Sequence, residues 1–391
     1  MYLYLLIVLG LFAFGDFCGV ISKAKLSSVF VALMLFLIGF LTGVIPPDII
    51  RRANLTEISK IATAFVVFNM GTSVNLSEMK REWRIVVMTV FSMIVAVGAV
   101  CCVIPFIGRE AAFVSIPIIN GGIVATQIMT EAAMKKGYIM AAALGTIVFA
   151  VQKFVGTIPA SRCGLSEAKK LVTEFRDNQS KGINLLDDNA NNAFDKPKKV
   201  KFYQKYEKYY TNYMTLGIVA VFAYQASLIQ SWTGISISIW CLLLGMLVNQ
   251  LGLVPPRLLD AGKSSGLFMV ATFCALIPSL AEIKITDMLE LGVQTTLVFS
   301  AALIGVFVAL YFLPAWKFIG SRNLTIGIAM SQLLGFPATY LIVNEVAVAV
   351  GETDDEKNYI IKKLTPAFVI SGFVSVTTIS VLAAGIFAAL L

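Results

Sequence analysis

The chain has 391 residues, of which 58% are hydrophobic and only 14% are charged, and its mean hydropathy is +0.83. A soluble domain carries roughly 25% charged residues, so the composition excludes an ordinary soluble protein and predicts a protein of the lipid bilayer. The formal net charge of +8 fits the positive-inside rule and needs no nucleic acid as a partner. Histidine is absent, and the six cysteines lack the spacing of a zinc site or a disulfide framework. No cofactor is predicted, and the chain is not predicted to be an enzyme.

The first part of the chain contains five long apolar runs that predict transmembrane spans, at residues 1–21, 27–45, 58–74, 83–107 and 138–160. A further apolar segment, 111–134, is interrupted by Pro117 and by Asn120-Gly121-Gly122. Proline and glycine break a helix, so this segment is predicted to be broken or re-entrant.

The residues after 161 are too polar to lie in hydrocarbon and predict a linker at 162–212. Five apolar runs follow it, at residues 213–231, 235–254, 266–281, 293–318 and 364–391. Another apolar segment, 324–350, is interrupted by Gly335-Phe336-Pro337. The predicted organisation is an N-terminal membrane repeat (1–161), a cytoplasmic linker (162–212) and a C-terminal membrane repeat (213–391).

The two parts resemble each other in sequence. The second run of each part ends in a similar motif, GVIPPDII at 43–50 and GLVPPRLL at 252–259. In the interrupted segments, Ala125-Thr126, Glu131 and Gly137 have counterparts in the same order, namely Ala338-Thr339, Glu345 and Gly351. These matches predict an internal duplication. Because each half has an odd number of spans, the halves enter the membrane in opposite directions. The predicted fold is an all-α polytopic membrane protein of about ten spans in two inverted five-span repeats.

The distribution of the 31 lysines and arginines predicts the orientation. Most of them lie in the linker and in loops on the same side as the linker, which the positive-inside rule assigns to the cytoplasm. Both termini then lie outside. We expect a multi-pass protein of the bacterial inner membrane.

Breaks at matching places in both halves predict a binding site. A helix broken inside the membrane frees backbone groups that need partners, and a helix N-terminus attracts anions. The predicted substrate-binding residues are Asn120, Gly121, Gly122, Thr126, Gln332, Gly335, Pro337 and Thr339. The alternative is a kinked helix that packs through small residues.

A second set of polar residues could couple an ion or compensate charge: Asn69, Thr72, Glu131, Lys153, Asn344 and Glu345. Glu131 and Glu345 could instead lie at the water interface, because Glu131 has the spacing of an ion pair with Lys135. Lys153 could instead reach a water-filled crevice or a backbone carbonyl. A sodium ion is the possible coupling ion, and no metal site is predicted.

The chain resembles the bacterial sodium/glutamate symporter family over nearly its full length. The resemblance lies in the five-plus-five layout and in four motifs: Gly121-Gly122 with the segment ending at Lys135-Lys136-Gly137, Phe68-Asn69-Met70-Gly71 followed by Asn75-Leu76, Ala193-Phe194-Asp195-Lys196-Pro197, and Gly335-Phe336-Pro337-Ala338-Thr339. It implies re-entrant segments from opposite sides, a homodimer, elevator-like alternating access and sodium-coupled uptake of glutamate.

The predicted function is therefore secondary active transport: ion-coupled symport, with sodium, of glutamate or a related small carboxylate. The partners are a small anionic solute and the bilayer. A proton-coupled carrier or exporter of another organic anion or amino acid, or a channel, remains an alternative. A membrane enzyme or a scaffold is disfavoured, because no cluster of histidines, carboxylates or cysteines is present and mid-membrane breaks are costly.

Overall fold

The computed structural model describes residues 1–21, 28–74, 76–180, 201–335 and 338–391. Throughout these ranges the regular structure is helical, with no strand. The first part of the chain forms helices α1 to α10, at Tyr2–Ile21, Ser28–Leu41, Ile49–Arg52, Thr56–Ser73, Leu76–Arg81, Trp83–Cys101, Ile104–Ile107, Arg109–Ile119, Ile123–Lys135 and Ile139–Ser180.

The second part forms helices α11 to α22, at Phe202–Lys205, Asn212–Thr233, Ile237–Gln250, Leu258–Ala261, Ser265–Cys274, Ile277–Ala281, Met288–Phe307, Arg322–Leu334, Ala338–Val350, Asp354–Thr365, Ser371–Val374 and Ser380–Leu390. Two π-helical segments, Pro366–Ile370 and Ser375–Ile379, join α20, α21 and α22 into one continuous stretch, here called the C-terminal helix.

Six helices of the described residues are long and apolar enough to cross a bilayer: Tyr2–Gly19, Trp83–Cys101, Ile139–Ser180, Asn212–Thr233, Ile285–Phe312 and Asp354–Leu390. The chain is therefore a helical membrane protein, as its composition predicted. The other four predicted spans coincide with α2, α4, α13 and the pair α15–α16, which are shorter or less apolar.

The helix boundaries repeat along the chain. The end of α2 and the starts of α3 and α4 are spaced as the end of α13 and the starts of α14 and α15 are, at Leu41, Ile49 and Thr56 in the first set and at Gln250, Leu258 and Ser265 in the second. The connecting turns match as well, because Gly43 and Gly252 have φ of 71° and 72°, and Asn54 and Lys263 have φ of 58° and 51°. The end of α9 and the start of α10 likewise have the same spacing as the end of α19 and the start of α20.

The core forms where helices of the two parts pack together. Helix α4 packs on α13 and α15, α10 packs on α18 and α19, and α22 packs on α8 and α9. The backbones of α4 and α13 touch at Gly71 and Gly245, where a Cβ on either residue would meet the carbonyl oxygen of Leu242 or Phe68. Small residues at such a crossing allow the close approach that stabilises helix pairs in membranes.

Several elements differ from their sequence-based predictions. The first residues of the predicted linker, 162–180, continue α10 as helix. The predicted span 83–107 is two helices, α6 and α7, separated at Cys102-Val103. The predicted span 266–281 is two helices, α15 and α16, separated at Ala275-Leu276. Pro278 explains this break, since it has no N–H to donate to the Cys274 carbonyl. Residues 181–200 of the predicted linker, which include the motif Ala193-Phe194-Asp195-Lys196-Pro197, lie outside the described residues.

Candidate functional site

Both predicted breaks are present as interruptions between pairs of helices. In the first, α8 ends at Ile119 and α9 begins at Ile123, with Gly122 at the N-cap. In the second, α18 ends at Leu334 and Gly335 follows with φ of 67°, a conformation that glycine adopts without strain. Helix α19 then begins at Ala338. Pro337, a predicted site residue, lies outside the described residues.

The two breaks meet at one side chain of the C-terminal helix, Val376. A Cβ added to Gly122 would lie 2.5 Å from Val376 Cγ1, and a Cβ added to Gly335 would lie 2.7 Å from Val376 Cγ2. Gly121 has a similarly close contact with Ser380, one turn further along the same helix. Residues far apart in sequence therefore converge on a single place, and glycine is required there because any side chain would overlap the C-terminal helix.

Polar side chains hold the first break in place. Gln152 of α10 donates from Nε2 to the Gly121 carbonyl at 2.9 Å. Thr126 donates from its hydroxyl to the Gly122 carbonyl at 3.1 Å, and Asn120 donates from Nδ2 to a carbonyl one turn earlier at 3.0 Å. All three side chains are 2% exposed or less. The carbonyls that the break frees are thus partly satisfied from within the protein.

The second break is surrounded by a similar set of hydroxyl and amide groups. Gln332 accepts at Oε1 from the Ser92 hydroxyl at 3.1 Å, which links α18 to α6. Ser371 of the C-terminal helix donates to the Ile328 carbonyl at 2.6 Å. Thr339 is fully buried against Gly372, whose added Cβ would lie 2.7 Å from Thr339 Cγ2.

Three buried oxygen atoms around the breaks have no hydrogen-bond partner among the described residues: Asn120 Oδ1, Gln152 Oε1 and Thr339 Oγ1. A buried polar atom without a partner costs about 1 to 3 kcal/mol. Two of these atoms are amide acceptors, and the third belongs to a hydroxyl that both donates and accepts. Their clustering beside two helix breaks indicates a place where a bound solute or ion would supply the missing partners.

The remaining predicted residues do not join this cluster. Asn69 and Thr72 use their side-chain oxygens to accept from the backbone N–H groups of Leu259 and Leu258, at 2.8 and 3.4 Å, and so hold the first turn of α14. Lys153 is partly exposed on α10, and its ammonium has no hydrogen bond or ion pair within the described part of the chain.

The two predicted carboxylates lie at the surface. Glu131 contacts Lys135 at 2.7 Å, which is the helix-surface ion pair that the sequence also offered as an interpretation. Glu345 is exposed. Asn344 is half-buried and donates to the Tyr340 carbonyl at 2.8 Å. The structure thus brings together the glycines, amides and hydroxyls of the prediction, but not its charged groups.

Sequence reasoning missed Gln152, Ser92 and Val376. Gln152 carried a signal, because a glutamine inside an apolar run must find a partner. Val376 carried none, since a valine in an apolar span looks like any other. In the described ranges no group of three or more histidines, cysteines and carboxylates could hold a metal ion.

A scan against protein-family models found no match, and a search of curated proteins found no similar sequence.

Proposed function

We propose that the protein is a secondary active transporter that couples sodium to the symport of glutamate or a related small carboxylate by alternating access. The meeting of the two breaks at Val376 carries this proposal. A helix break inside a membrane is costly unless it serves a binding site, and two such breaks side by side are typical of transporters that bind their substrate near the midplane.

The chemistry of the breaks supports an anionic substrate. Helix α9 begins at the first break, with Gly122 at its N-cap, and the first N–H groups of a helix have no partner within it. Together with the helix dipole, these groups favour a carboxylate. The unpartnered oxygens of Asn120 and Gln152 favour a ligand with donors or a cation, which fits an amino acid bound together with sodium.

The whole-chain arrangement that we propose is two inverted repeats of five spans. The identical spacing of several helix boundaries in the two parts of the chain supports it. The chain would lie in the bacterial inner membrane with both termini outside and the 181–200 stretch in the cytoplasm. The resemblance to the symporter family further implies a homodimer, which light scattering of the purified protein would test.

Uptake of radiolabelled glutamate into proteoliposomes tests the function. The gradients compared are inward sodium, inward proton and none, and Gly122→Ala serves as the site variant. Gly98→Ala is the matched control, because a Cβ at Gly98 would meet nothing within 4 Å. We expect sodium-driven uptake in the wild type and in Gly98→Ala, and its loss in Gly122→Ala.

The other outcomes would change the proposed function or overturn it. Uptake driven only by a proton gradient would show that the coupling ion is a proton and not sodium. Transport that never raises the internal glutamate concentration above its equilibrium value would indicate a channel. Absence of uptake for glutamate, aspartate and a panel of small dicarboxylates under every gradient would overturn the proposal.

A further inference from the structure

A cleft of about 610 Å³ lies between α3, α4, α9 and the broken pair α15–α16. Its volume is within the usual range of ligand pockets, roughly 300 to 1,000 Å³. Residues of both parts of the chain line it, but no residue of the two breaks and no residue of the Val376 cluster does. The cleft is therefore a separate place in the fold.

The rim of the cleft is positively charged. Arg51, Lys60 and Lys135 line it together with two carboxylates. Both carboxylates already have partners, because Arg51 contacts Asp48 at 3.0 Å and Lys135 contacts Glu131 at 2.7 Å. Hydrogen bonds from its arginine neighbours also hold the pKa of Asp48 below its usual range. The lining residues therefore carry an excess of one positive charge and unused N–H donors, which favours a carboxylate.

Lys60 has a carboxylate partner outside the cleft, Glu57, at 2.7 Å. Glu57 does not line the cleft, and its side chain is 81% exposed. An ion pair this exposed contributes little to stability, because water competes for both charges. The ammonium of Lys60 can therefore turn to a ligand in the cleft at small cost.

The floor of the cleft needs a hydrogen-bond donor, whereas the rim offers donors. Gln127 lines it and is only 1% exposed. Its Nε2 donates to the Ser59 carbonyl at 3.2 Å, whereas its Oε1 is buried and finds no donor among the described residues. Cys274 also lines the floor, and its carbonyl has lost the helical donor that Pro278 cannot supply.

The walls between rim and floor are mostly apolar, formed by Ile50, Met134 and Pro278. The distance between the two polar zones follows from the helix. Gln127 and Glu131 are four residues apart on α9, which corresponds to about 6 Å of rise. A ligand that satisfies both zones is short, with a carboxylate at one end and an N–H or O–H donor at the other.

We propose that this cleft is a second binding site, for a small carboxylate whose far end carries a hydrogen-bond donor. The carboxylate lies among Lys60, Lys135 and Arg51, and the donor reaches Gln127 Oε1. This inference does not rest on the proposed transport function.

Three probes of nearly the same shape test it by calorimetry on the purified full-length protein. Succinamate has a carboxylate and an amide N–H donor, levulinate has a methyl group in place of that donor, and succinamide has no charge. We expect succinamate to bind roughly threefold to tenfold more tightly than levulinate, the usual value of one hydrogen bond. Succinamide should bind more weakly than succinamate.

Two variants, each with a control, test which residues bind the donor and which bind the carboxylate. Gln127→Leu should remove the difference between succinamate and levulinate, while Gln250→Leu, at an exposed position, should keep it. The double variant Lys60→Ala/Lys135→Ala should weaken the binding of succinamate and of levulinate and leave the binding of succinamide unchanged. Lys136→Ala is its matched control, because Lys136 is exposed next to Lys135 but does not line the cleft.

The proposal is overturned if succinamate shows no saturable binding, or if succinamate and levulinate bind equally to the wild type. It is also overturned if Lys136→Ala weakens binding as much as the double variant. Binding that persists in Gly122→Ala, where uptake is expected to be lost, would separate this site from the transport site. The two proposals can therefore fail independently.

Discussion

Val376 determines the shape of both breaks, and the reason differs between the two glycines that it touches. Gly122 has φ of −110°, which any residue can adopt, so only the space taken by Val376 excludes a side chain there. Gly335 has φ of 67°, so a side chain there is strained whatever the space. The two positions thus respond differently when Val376 is made smaller.

We predict that Gly122→Ala destabilises the protein by about 1 to 3 kcal/mol, the usual cost of overpacking. Val376→Ala should rescue it, because the Val376 Cβ would then be the nearest atom of that side chain, at an ordinary 3.7 Å. Gly335→Ala should be rescued only in part, since its backbone strain remains. Thermal unfolding in detergent of the single and double variants measures this. Equal rescue of both glycine variants would contradict the explanation.

The sequence predicts the glycines of the candidate site but not its glutamines, because the two residue types depend differently on the surrounding structure. The consecutive pair Gly121-Gly122 stands out inside an apolar run, because glycine has a low helix propensity and two in succession favour a break. Gln127 and Gln152 do not stand out in this way. Whether an amide in an apolar helix packs against a neighbour or lines a cavity depends on the face it occupies, and that face is set by helices more distant in the sequence.

Among the helices, α10 and α20 form a joint at the charged ends of the long helices Ile139–Ser180 and Asp354–Leu390, beyond their apolar stretches. Arg176, near the end of α10, donates from Nε to Glu356 of α20 at 2.7 Å, and Phe175 packs on Tyr359 with ring centroids 5.2 Å apart. The Arg176 hydrogen bond lowers the pKa of Glu356 from 4.5 to about 2. The folded state therefore holds the ionised carboxylate more strongly than the unfolded chain does.

This joint predicts a pH dependence of stability. A lowered pKa stabilises the fold fully above the unfolded value near 4.5, and the stabilisation is lost as the pH falls from there towards 2. Glu356→Gln should therefore lower the unfolding temperature at pH 7, by an amount equivalent to about 1 kcal/mol at most, since Arg176 is half exposed. The difference in unfolding temperature between Glu356→Gln and the wild type should become smaller as the pH falls from 4.5 to 3.

Thermal unfolding across this pH range is the measurement, and Asp355→Asn is its control. Asp355 is exposed in the same helical turn and makes no ion pair within the described residues, so its variant should follow the wild type throughout. A Glu356→Gln difference that stays constant down to pH 3 would rule out the ion pair as its cause.

The sequence predicts the two breaks as elements but misses the length of α10. Residues 162–180 are polar enough to read as a linker, yet Ala168, Val172 and Phe175 are buried, Phe175 packs on Tyr359 of α20, and the helix stays intact. Polarity alone does not separate an exposed helix from a loop. The break between α15 and α16 was missed for a related reason, since a single proline in an apolar run is also compatible with a kinked span.

At the scale of the whole molecule, the predicted duplication gains its best support from helix boundaries. The sequence matches beyond the breaks, Thr126 with Thr339 and Gly137 with Gly351, differ from each other in their offset along the chain. By contrast, one common offset relates the end of α9 and the start of α10 to the end of α19 and the start of α20. Sequence similarity therefore predicts a duplication without fixing its register. The helix boundaries favour one register of the proposed duplication, because each boundary depends on local capping and turn geometry.

The inverted arrangement that we propose predicts that equivalent ends of α9 and α19 lie on opposite sides of the membrane. In a cysteine-free background, Lys136→Cys should react with a membrane-impermeant thiol reagent in intact cells. Glu352→Cys and Lys169→Cys should react only after permeabilisation. All three native residues are exposed, so access is not limited by burial. Labelling of Lys136→Cys and Glu352→Cys from the same side would contradict inverted repeats.

The π-helical segments of the C-terminal helix have a mechanical consequence. Each π segment places one residue more in a turn than an α-helix would, and each residue of an α-helix turns the chain by about 100°. Pro366–Ile370 lies between the Arg176–Glu356 joint and Val376. If that segment became α-helical while the Arg176–Glu356 joint stayed in place, the part of the C-terminal helix beyond it would rotate by the turn of one residue, about 100°. Val376 would then move away from Gly122 and Gly335 together.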